Sequence, residues 1–325
     1  MPFSRRSTFK NHKRIKMIKT PLVSIITPSY NQGMFIEETI KSVLSQDYPN
    51  IEYIVVDGGS TDNTLEILKK YEGRFKWISE KDKGQADAID KGFRMSKGEI
   101  LAWLNSDDTY LPGAIKRTVE YFKSNPGVSM IYGKTYCIDE NGRTLGEYPT
   151  ERFDLKTLAT FNYISQSSVF FKKDAYEAVG GVDRELSYSM DYDLWFKMAK
   201  EFRIMYCEDF FSCFRLHRES KTVSERHALL SNKEALDTVA KHLNWAPLNR
   251  VYGYYYQRIK NSVPACMKNL KPLTFLLALF FTLAEYIRFN RGIRMEDIKL
   301  LNFGIIKKVF SGWGSTDILR EKTRP

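Results

Sequence analysis

Two adjacent carboxylates follow a short apolar run near the middle of the sequence. The run is Ile100 to Leu104, and the polar segment Asn105-Ser106-Asp107-Asp108 comes directly after it. A short apolar run between polar residues predicts a buried strand, and open α/β sheets bind ligands at the carboxyl ends of such strands. Magnesium usually takes one or two carboxylates together with substrate phosphates. A helix cap made of solvated acids is an equally good interpretation of this segment by itself.

Asp57 and Asp191 are two further carboxylates in positions that allow chemistry. Asp57 ends the apolar run Ile51 to Val56 and precedes two glycines, which would let the backbone approach a ligand closely. Asp191 stands at the start of a helical pattern that includes Leu194 and Met198. A carboxylate there can cap the helix, or it can face a cleft and accept a proton. A turn-forming role for Asp57 is the simpler alternative.

A polar loop and a lone histidine complete the set of candidate residues. Lys83, Gln85 and Asp87 lie where a predicted helix begins, which continues to about residue 96. A lysine and the free backbone N–H groups of a helix start suit a phosphate, although a solvated loop is equally compatible with these residues. His217 lies beside two arginines, a setting that suits a diphosphate or a metal. A single histidine is more often structural.

Alternating strands and helices must hold these residues in place. The first apolar runs, Leu22 to Thr27 and Ile51 to Val56, are each followed by a helical pattern. This alternation predicts an α/β fold with a mostly parallel sheet and right-handed crossovers. Pro112 is expected to open the helix after the central acidic segment. Further strands are predicted at Phe75–Ser79, Met130–Tyr136, Leu145–Tyr148, Gln166–Phe171, Arg203–Cys207 and Phe210–Phe214.

The composition predicts a folded protein with a sizeable core. The 325 residues are 43% hydrophobic and 14% aromatic, which excludes a disordered chain. The four cysteines form no CxxC pair and a chain of this length needs no disulfides, so we expect a reducing, cytoplasmic compartment. The N-terminus is polar and basic and lacks the apolar core of a signal peptide.

The net charge of +11 is concentrated at the two ends of the chain. Residues 1–20 carry seven Lys or Arg and no acid, and residues 242–325 carry fourteen basic and five acidic residues, which leaves residues 21–241 at −5. This distribution fits a catalytic core that its ends hold near an anionic membrane surface. A plain solvated terminus is the simpler interpretation of residues 1–20. No nucleic-acid-binding motif is recognisable, so no nucleic-acid partner is expected.

The last third of the sequence is predicted to be helical. Pro272 to Ala284 is an uncharged apolar run of thirteen residues, shorter than the roughly 20 residues that span a bilayer. A buried helix fits this run as well as a helix in the membrane interface with Arg288, Arg291 and Arg294 at its polar end. The predicted organisation is a basic flexible tail at 1–20, a catalytic domain at 21–222 and a helical, basic C-terminal extension at 223–325.

The sequence resembles the family 2 inverting glycosyltransferases, which have the GT-A fold, over about Val23 to Ser220. Four segments stand in the family's order, namely VSIITPSYN at 23–31, VVDGGSTD at 55–62, NSDD at 105–108 and MDYDLW at 190–195. Each segment alone is a modest signal, but the ordered set is specific. The resemblance implies a Rossmann-like sheet flanked by helices, to which the helical extension is added.

The resemblance also implies a nucleotide site. Thr27, Tyr30 and Asp57 match positions that hold the base and ribose of the donor nucleotide. Asp107 matches the second acid of the DxD motif, which binds the metal, Mg²⁺ or Mn²⁺, that bridges the diphosphate. His217 matches a position that helps hold the diphosphate or the metal. We assign five neighbouring residues to the same site: Pro28, Lys83, Gln85, Asp87 and Ser106.

Asp191 matches the catalytic base of the family. We expect the acceptor beside it, in contact with Gln166, Asp193 and Trp195. The sequence departs from the family pattern in two places. Asn105 stands where the first DxD acid is usual, so one metal contact would be lost or made through water. Met190 replaces the Glu that usually precedes the base, which makes the surroundings of Asp191 less acidic.

The expected activity is therefore that of a metal-dependent inverting glycosyltransferase with a nucleotide-diphospho-sugar donor. The expected acceptor is a saccharide or a lipid-linked intermediate of polysaccharide or glycolipid synthesis, at the cytoplasmic face of a membrane. Two alternatives were weighed against it. A nucleotidyltransferase is disfavoured because Thr27 to Gly33 lacks a glycine-rich phosphate loop. A catalytically inactive sugar-nucleotide or polyanion-binding module stays open because of Asn105.

Overall fold

A sheet of nine strands forms the centre of the computed structural model, which describes residues 20–262, 271–294 and 297. The spatial order of the strands is β3-β2-β1-β4-β8-β6-β9-β5, and β7 pairs with β6. The strands are β1 (Val23–Ser29), β2 (Ile51–Asp57), β3 (Lys76–Ser79), β4 (Ile100–Trp103), β5 (Thr109–Tyr110), β6 (Val128–Ile138), β7 (Thr144–Glu147), β8 (Val169–Lys172) and β9 (Arg203–Arg215).

The first half of the sheet is parallel and the second half is mixed. β3, β2, β1 and β4 are parallel neighbours. β8 is antiparallel to both β4 and β6, whereas β9 is parallel to β6. β5 and β7 add two antiparallel pairs, to β9 and β6. The α/β fold class is confirmed, and the parallel half is the part that carries the first acidic loops.

Ten α-helices flank or extend this sheet within the described residues. They are α1 (Ile36–Leu44), α2 (Thr64–Lys70), α3 (Gln85–Met95), α4 (Ala114–Ser124), α5 (Leu155–Thr160), α6 (Lys173–Ala178), α7 (Met190–Glu201), α8 (Ala228–Leu243), α9 (Leu248–Ser262) and α10 (Lys271–Asn290). Two short 3-10 turns, Gln166–Ser168 and Glu225–His227, precede β8 and α8. The predicted helical extension is confirmed over its described part.

Helices cover both faces of the sheet, so its central strands are buried on both sides. In β1, Ile26 packs in the cluster that includes residues of α3 and α7. Ile25 packs in the opposite cluster, with residues of α1, α2 and α4. Because successive side chains of a strand point to opposite faces, two-sided burial favours apolar residues at consecutive positions. This explains the unbroken apolar runs from which the strands were predicted.

Three predicted strands differ from the structure, two because they are joined and one because it begins later. Arg203–Cys207 and Phe210–Phe214 are one strand, β9, which follows β6 through several register shifts. Gln166–Ser168 is a 3-10 turn, and the strand itself begins at Val169. The apolar pattern located both segments correctly, but it does not distinguish an irregular strand from two short ones.

Pro112 does not open α4 as expected. Gly113 stands between the proline and the helix with φ of 75°, a left-handed conformation that favours glycine, and α4 begins at Ala114. The Pro112-Gly113 pair therefore makes a turn that leads into the helix. The acidic segment before it keeps its predicted place, between β4 and α4.

The described chain after residue 224 is helical with short connections. Ala235 and Val239 of α8 belong to the same buried cluster as residues of α7, so α8 packs on the sheet domain. Pro272–Ala284 lies within α10. Among the described helices, none has the length and apolarity needed to cross a membrane. Residues 1–19 of the predicted tail and residues 298–325 of the extension lie outside the described residues, and the domain boundaries remain predictions.

Candidate active site

Loops from three parallel strands meet at one edge of the sheet. β1, β2 and β4 run in the same direction, with Ser29 paired to Asp57 and Ile26 paired to Trp103. Their carboxyl ends therefore lie at the same edge, which is where open α/β sheets bind ligands. The loops are joined directly, since the backbone N–H of Asn31 donates to the Ser60 hydroxyl over 2.7 Å.

Asp57 holds the loop after β2 together. Its side chain is buried, and its carboxylate accepts hydrogen bonds from the backbone N–H groups of Gly59 (3.1 Å) and Ser60 (2.9 Å) and from the Ser79 hydroxyl (2.6 Å). Gly58 and Gly59, rather than the carboxylate, line the neighbouring cavity. The structure thus gives Asp57 a loop-shaping role, and a contact with ribose would require an exchange of these hydrogen bonds.

A cavity of about 650 Å³, here called the edge cavity, opens over these loops. This volume lies within the range of about 300–1,000 Å³ that is typical of ligand pockets. The edge cavity is lined by five of the residues predicted to bind a nucleotide and by the predicted metal ligand His217. Those five are Pro28, Tyr30, Gln85, Ser106 and Asp107.

Three other residues predicted for the nucleotide site do not line the edge cavity. Thr27 is fully buried, and its hydroxyl accepts a hydrogen bond from the Tyr53 hydroxyl over 3.1 Å. Asp87 accepts from the backbone N–H of Lys83 (3.3 Å) and lies 3.7 Å from the Arg184 guanidinium. Thr27 and Asp87 therefore contact the protein itself, and Lys83 contributes its backbone to the start of α3.

Asp107 and His217 form a carboxylate–imidazole pair on the wall of the edge cavity. Asp107 Oδ2 and His217 Nε2 are 3.0 Å apart, and the imidazole packs against the Phe35 ring with centroids 4.8 Å apart. One carboxylate oxygen and one imidazole nitrogen suit Mn²⁺, and the carboxylate alone suits Mg²⁺. The described residues contain no cluster of three His, Cys, Asp or Glu ligands. These two residues fit a cation whose remaining ligands come from a diphosphate or water.

Arg215 stabilises the loop that contains Asp107 and Asp108 through several hydrogen bonds. Its backbone N–H donates to Asp108 Oδ1 (2.9 Å), and its guanidinium donates to the carbonyls of Asp107 (2.8 Å), Asp139 (3.2 Å) and Glu140 (3.1 Å). Arg215 is buried and its hydrogen-bond partners belong to the protein, so it supports the loop on which Asp107 lies. Burial, with the neighbouring Asp107 charge, raises the pKa of the Asp108 carboxyl well above its usual range.

A second cavity of about 250 Å³, here called the inner cavity, adjoins the edge cavity. It lies between the segment that precedes β8, the start of α7 and the start of α9, and Gln166, Asp191 and Arg250 are among its lining residues. The two cavities share a wall made of Gln85, Asn105, Phe214, Lys221 and Thr222. Ligands bound in the two cavities would therefore meet at this shared wall.

Asp191 lies in the first turn of α7 and lines the inner cavity. Its Oδ1 accepts from the backbone N–H of Tyr192 (2.7 Å), and its Oδ2 lies 3.4 Å from Asn162 Nδ2. Burial raises the pKa of Asp191 to about 6, against the opposing effect of these hydrogen bonds. Such a carboxylate is ionised at neutral pH and is a stronger base than an ordinary aspartate. The N-cap position belongs to Ser189, so Asp191 is not the cap of α7.

Gln85, Asn105 and Lys221 form a hydrogen-bonded bridge across the shared wall. Gln85 Nε2 donates to Asn105 Oδ1 (2.8 Å), and Lys221 Nζ donates to Gln85 Oε1 (3.0 Å) and to the Ser187 carbonyl (2.8 Å). Burial lowers the pKa of Lys221. Asn105, which replaces the usual acid, thus directs its carbonyl oxygen to Gln85, and Lys221 brings a cationic group to the wall.

Asp193 and Trp195 do not line the inner cavity, contrary to their assignment as acceptor residues. Asp193 is buried on the other side of α7, where it accepts from His242 Nε2 (2.7 Å) and pairs with Lys197 (2.7 Å) and Lys241 (3.1 Å). Burial alone would raise its pKa, but these hydrogen bonds and charges outweigh burial and hold the pKa of Asp193 well below its usual range. Trp195 is fully buried and stacks on a core tryptophan.

Gln166 is the predicted acceptor residue that the structure does place in the inner cavity. Its Nε2 donates to the Trp103 carbonyl over 2.7 Å, and its Oε1 is buried without a hydrogen-bond partner among the described residues. A buried acceptor in this state is suited to a donor from a ligand. Sequence reasoning missed Lys221 and Arg250, whose only signal was their positive charge outside any motif.

Comparison with known sequences finds a matching family model and related proteins. The sequence model of Glycosyl transferase family 2 matches residues 24–180. An uncharacterized glycosyltransferase of Rickettsia prowazekii (strain Madrid E) is 28% identical over 276 residues, which are 82% of this chain and 86% of the relative. The matched family segment contains the acidic loops after β2 and β4. Asp191 and His217 lie beyond it.

Solved structures share the fold at low sequence identity. S. aureus TarS 1-349 in complex with UDP-GlcNAc superposes with a TM-score of 0.56 at 19% identity, and the match covers 83% of this chain and 89% of that one. The mannosyltransferase PcManGT from Pyrobaculum calidifontis, in complex with GDP-Man and Mn²⁺, gives a TM-score of 0.53 at 17% identity and covers 93% and 84%. The predicted GT-A fold is thereby confirmed.

Proposed function

We propose a reaction for this chain, which belongs to glycosyl transferase family 2 and is a glycosyltransferase. The reaction is transfer of a sugar, with inversion at the anomeric carbon, from a nucleotide-diphospho-sugar to a hydroxyl group of an acceptor. The observation that carries this proposal is the pair of adjoining cavities. The edge cavity contains Asp107 and His217, the inner cavity contains Asp191, and the two meet at a shared wall.

In this proposal the edge cavity binds the donor. Tyr30, Gly59 and Ser106 line its wall and would contact the nucleotide. A divalent cation, Mg²⁺ or Mn²⁺, held by Asp107 and His217, would neutralise the charge that builds up on the leaving nucleoside diphosphate. The neighbour PcManGT was solved with Mn²⁺ and the neighbour TarS with UDP-GlcNAc, which supports a metal and a sugar nucleotide as ligands here.

The inner cavity would hold the acceptor hydroxyl against Asp191. The hydroxyl oxygen forms a bond to the anomeric carbon and its proton moves to an Asp191 carboxylate oxygen. The bond between the anomeric carbon and the diphosphate oxygen breaks, and its electron pair leaves with the nucleoside diphosphate. One displacement inverts the anomeric centre, so no enzyme nucleophile is needed. The raised pKa of Asp191, to about 6, supports its role as the base.

Lys221 and Gln85 would act where donor and acceptor meet. Lys221 Nζ lies on the shared wall, so its charge would stabilise the negative charge that develops on the departing diphosphate. Gln85 holds both the amine and the Asn105 side chain in place through the hydrogen bonds of the bridge. Because Asn105 offers the metal no charge, the ammonium of Lys221 would supply part of the charge neutralisation that a more weakly held cation cannot.

We further propose an acceptor that is a saccharide or a lipid-linked intermediate of cell-surface polysaccharide or glycolipid synthesis, reached from the cytoplasmic side of a membrane. The resemblance and the basic ends of the chain support this assignment. A sugar-nucleotide-binding module without activity is the second candidate. The observation in its favour is the engagement of Asn105 Oδ1 with Gln85, which leaves the first DxD position without a charged ligand.

One experiment separates the enzyme from the binding module. The chain is incubated with UDP-GlcNAc or GDP-mannose, Mn²⁺ and a panel of saccharide acceptors, and both the rise in melting temperature and the release of free nucleoside diphosphate are measured. Binding raises the melting temperature because the ligand binds only the folded state. An enzyme releases nucleoside diphosphate above the rate of an Asp191→Asn variant. Stabilisation by the donor with equal release in both proteins would favour the binding module.

A further inference from the structure

We propose that the outer face of α10 docks on the surface of a bilayer that contains anionic lipids. This α10 outer face consists of Leu276, Phe280, Leu283 and Ile287, which lie at i, i+4, i+7 and i+11 and so form one stripe along the helix. Their exposed fractions are 60%, 67%, 42% and 45%. Large apolar side chains in a continuous exposed stripe mark an interaction surface rather than an ordinary protein surface.

The opposite face of α10 is fixed to the protein. Ala278, Thr282 and Tyr286, again at helical spacing, are buried, and the Tyr286 hydroxyl is hydrogen-bonded to Asp297. The α10 outer face therefore cannot turn inward without breaking these contacts. The surface helix α4 is different, since it exposes charged side chains such as Lys116. The α10 helix thus has two apolar sides, and among the residues that the structure describes, protein contacts bury Ala278, Thr282 and Tyr286 on one side and leave the α10 outer face exposed.

The surroundings of the α10 outer face are strongly basic. Residues 248–294 carry eight Lys or Arg and a single acid, Glu285. Arg288, Arg291 and Arg294 at the end of α10 are exposed, and Glu285 pairs with Arg288. An apolar stripe with cations beside it matches a bilayer surface, where acyl chains lie beneath anionic headgroups. A partner protein with both positive and negative surface charges would not require this excess of Lys and Arg over acidic residues.

Tyrosines of α9 add a second feature typical of the membrane interface. Tyr252, Tyr254, Tyr255 and Tyr256 are half-buried, and the Tyr255 ring stacks on Phe281 of α10 with centroids 6.3 Å apart. Tyrosine has an apolar ring and a polar hydroxyl, and it is enriched at the level of lipid headgroups. A helix with one exposed apolar face binds a bilayer by lying in the plane of its surface, and we expect α10 to lie in this way.

The position of α9 connects this surface to the inner cavity. Asn249 Nδ2 donates to the Thr160 carbonyl over 2.7 Å, and Arg250 lines the inner cavity while its Nη2 donates to the Tyr192 hydroxyl over 3.1 Å. The helix that packs against α10 thus begins at the inner cavity. Delivery of a lipid-linked acceptor along this path rests on the proposed function, whereas the docking itself depends only on the surface.

The test uses the full chain and vesicles of defined composition. Sedimentation is measured with phosphatidylcholine vesicles and with vesicles containing 30 mol% phosphatidylglycerol (roughly the anionic fraction at which surface attraction is appreciable). We expect binding to the anionic vesicles that weakens at high salt. The Leu276→Glu/Phe280→Glu double variant should bind at least about tenfold more weakly, because it places two charges in the apolar stripe. Leu230→Glu, at a similarly exposed position on α8, should bind like the wild type.

The possible results separate docking from its alternatives. Circular dichroism and the melting temperature show whether the double variant is folded, and Phe280→Ser replaces it if it is not. Equal binding of wild type and variant to anionic vesicles would overturn the proposal, as would no binding by the wild type. A dimer that the double variant abolishes, without vesicle binding, would identify the face as a contact between two copies. Donor binding and nucleotide release are measured separately, so their failure would concern only the proposed function.

Discussion

Replacement of Asp191 by Asn tests the base and its environment together. We expect the variant to lose transfer activity by at least about 100-fold, since general bases contribute roughly 10²- to 10⁴-fold. We also expect it to be more stable than the wild type at neutral pH. A catalytic carboxylate that is costly to bury gives this combination, whereas a carboxylate that only supports the fold would lose stability on replacement. The two readouts therefore distinguish a base from a structural residue.

The size of the stability change follows from the pKa. Burial raises the pKa of Asp191 from 3.8 to about 6, and each pKa unit corresponds to roughly 1.4 kcal/mol. At pH values between 3.8 and about 6, the Asp191 carboxyl is protonated in the folded state and ionised in the unfolded state. Stability therefore falls as the pH rises through this window, by up to about 3 kcal/mol. Asn removes this cost, so at pH 7.5 the variant should gain about 1–3 kcal/mol, and at pH 4 almost nothing.

Urea unfolding at pH 4 and pH 7.5 measures the stability difference, and nucleoside diphosphate release from pH 5 to 8 measures activity. Wild-type activity should rise with pH around an apparent pKa near 6, because only the ionised carboxylate accepts a proton. Asp47→Asn, an exposed carboxylate in a surface ion pair with Lys116, is the matched control and should change neither quantity. A variant that is less stable at pH 7.5, or that still turns over, would refute the reasoning.

Three further predictions concern the edge cavity and its support. Asp107→Ala and His217→Ala should each abolish the extra melting-temperature rise that Mn²⁺ adds to a bound nucleotide, while the metal-free rise persists, as thermal shift would show. Lys221→Met should lower nucleotide release by about 10- to 100-fold, because a preorganised charge on the shared wall is removed, and it should leave nucleotide affinity nearly unchanged in calorimetry. Arg215→Met should destabilise the fold by about 1–3 kcal/mol in urea, since half-buried carbonyl groups lose a charged donor.

The matched controls for these variants are residues of the same type outside the cavities. Arg218 is exposed next to His217, and Arg218→Met should stay within about 0.5 kcal/mol of the wild type. Lys233 forms a surface pair with Asp237, and Lys233→Met should leave nucleotide release unchanged. Equal losses in a variant and its control would mean that general charge, and not the position at the site, accounts for the effect.

The parallel half of the sheet could be predicted because its signal is local. β1, β2 and β4 are buried on both faces, so each is a short apolar run, and each run ends in the acidic or polar loop that a ligand site needs. The direction of β8 between β4 and β6 could not be predicted in the same way. Apolar periodicity indicates burial and not strand direction. The direction of β8 depends on the path of residues 148–168, which connect β7 to β8.

Asp193 and Asp87 lie outside the two cavities for one geometric reason. An α-helix turns by about 100° per residue, so side chains two positions apart point to nearly opposite sides. Asp191 faces the inner cavity and Asp193 faces α8; in α3, Gln85 faces the edge cavity and Asp87 faces Arg184. Proximity in sequence was taken as proximity in space. Lys221 was missed for the converse reason, since only the folded loop brings it to the wall.

The ion-pair cluster around Asp193 limits how far the protein can be shortened. His242 and Lys241 of α8 contact Asp193, which lies on the side of α7 opposite to Asp191. The matched family segment ends at residue 180, before that helix begins. A fragment trimmed to the segment would keep the loops after β1, β2 and β4 that line the edge cavity and would lose Asp191, the proposed proton acceptor. One trimmed just after β9 would keep Asp191 but would leave Asp193 with Lys197 as its partner in place of three cationic or donor groups, so we expect a stable enzyme to need α8.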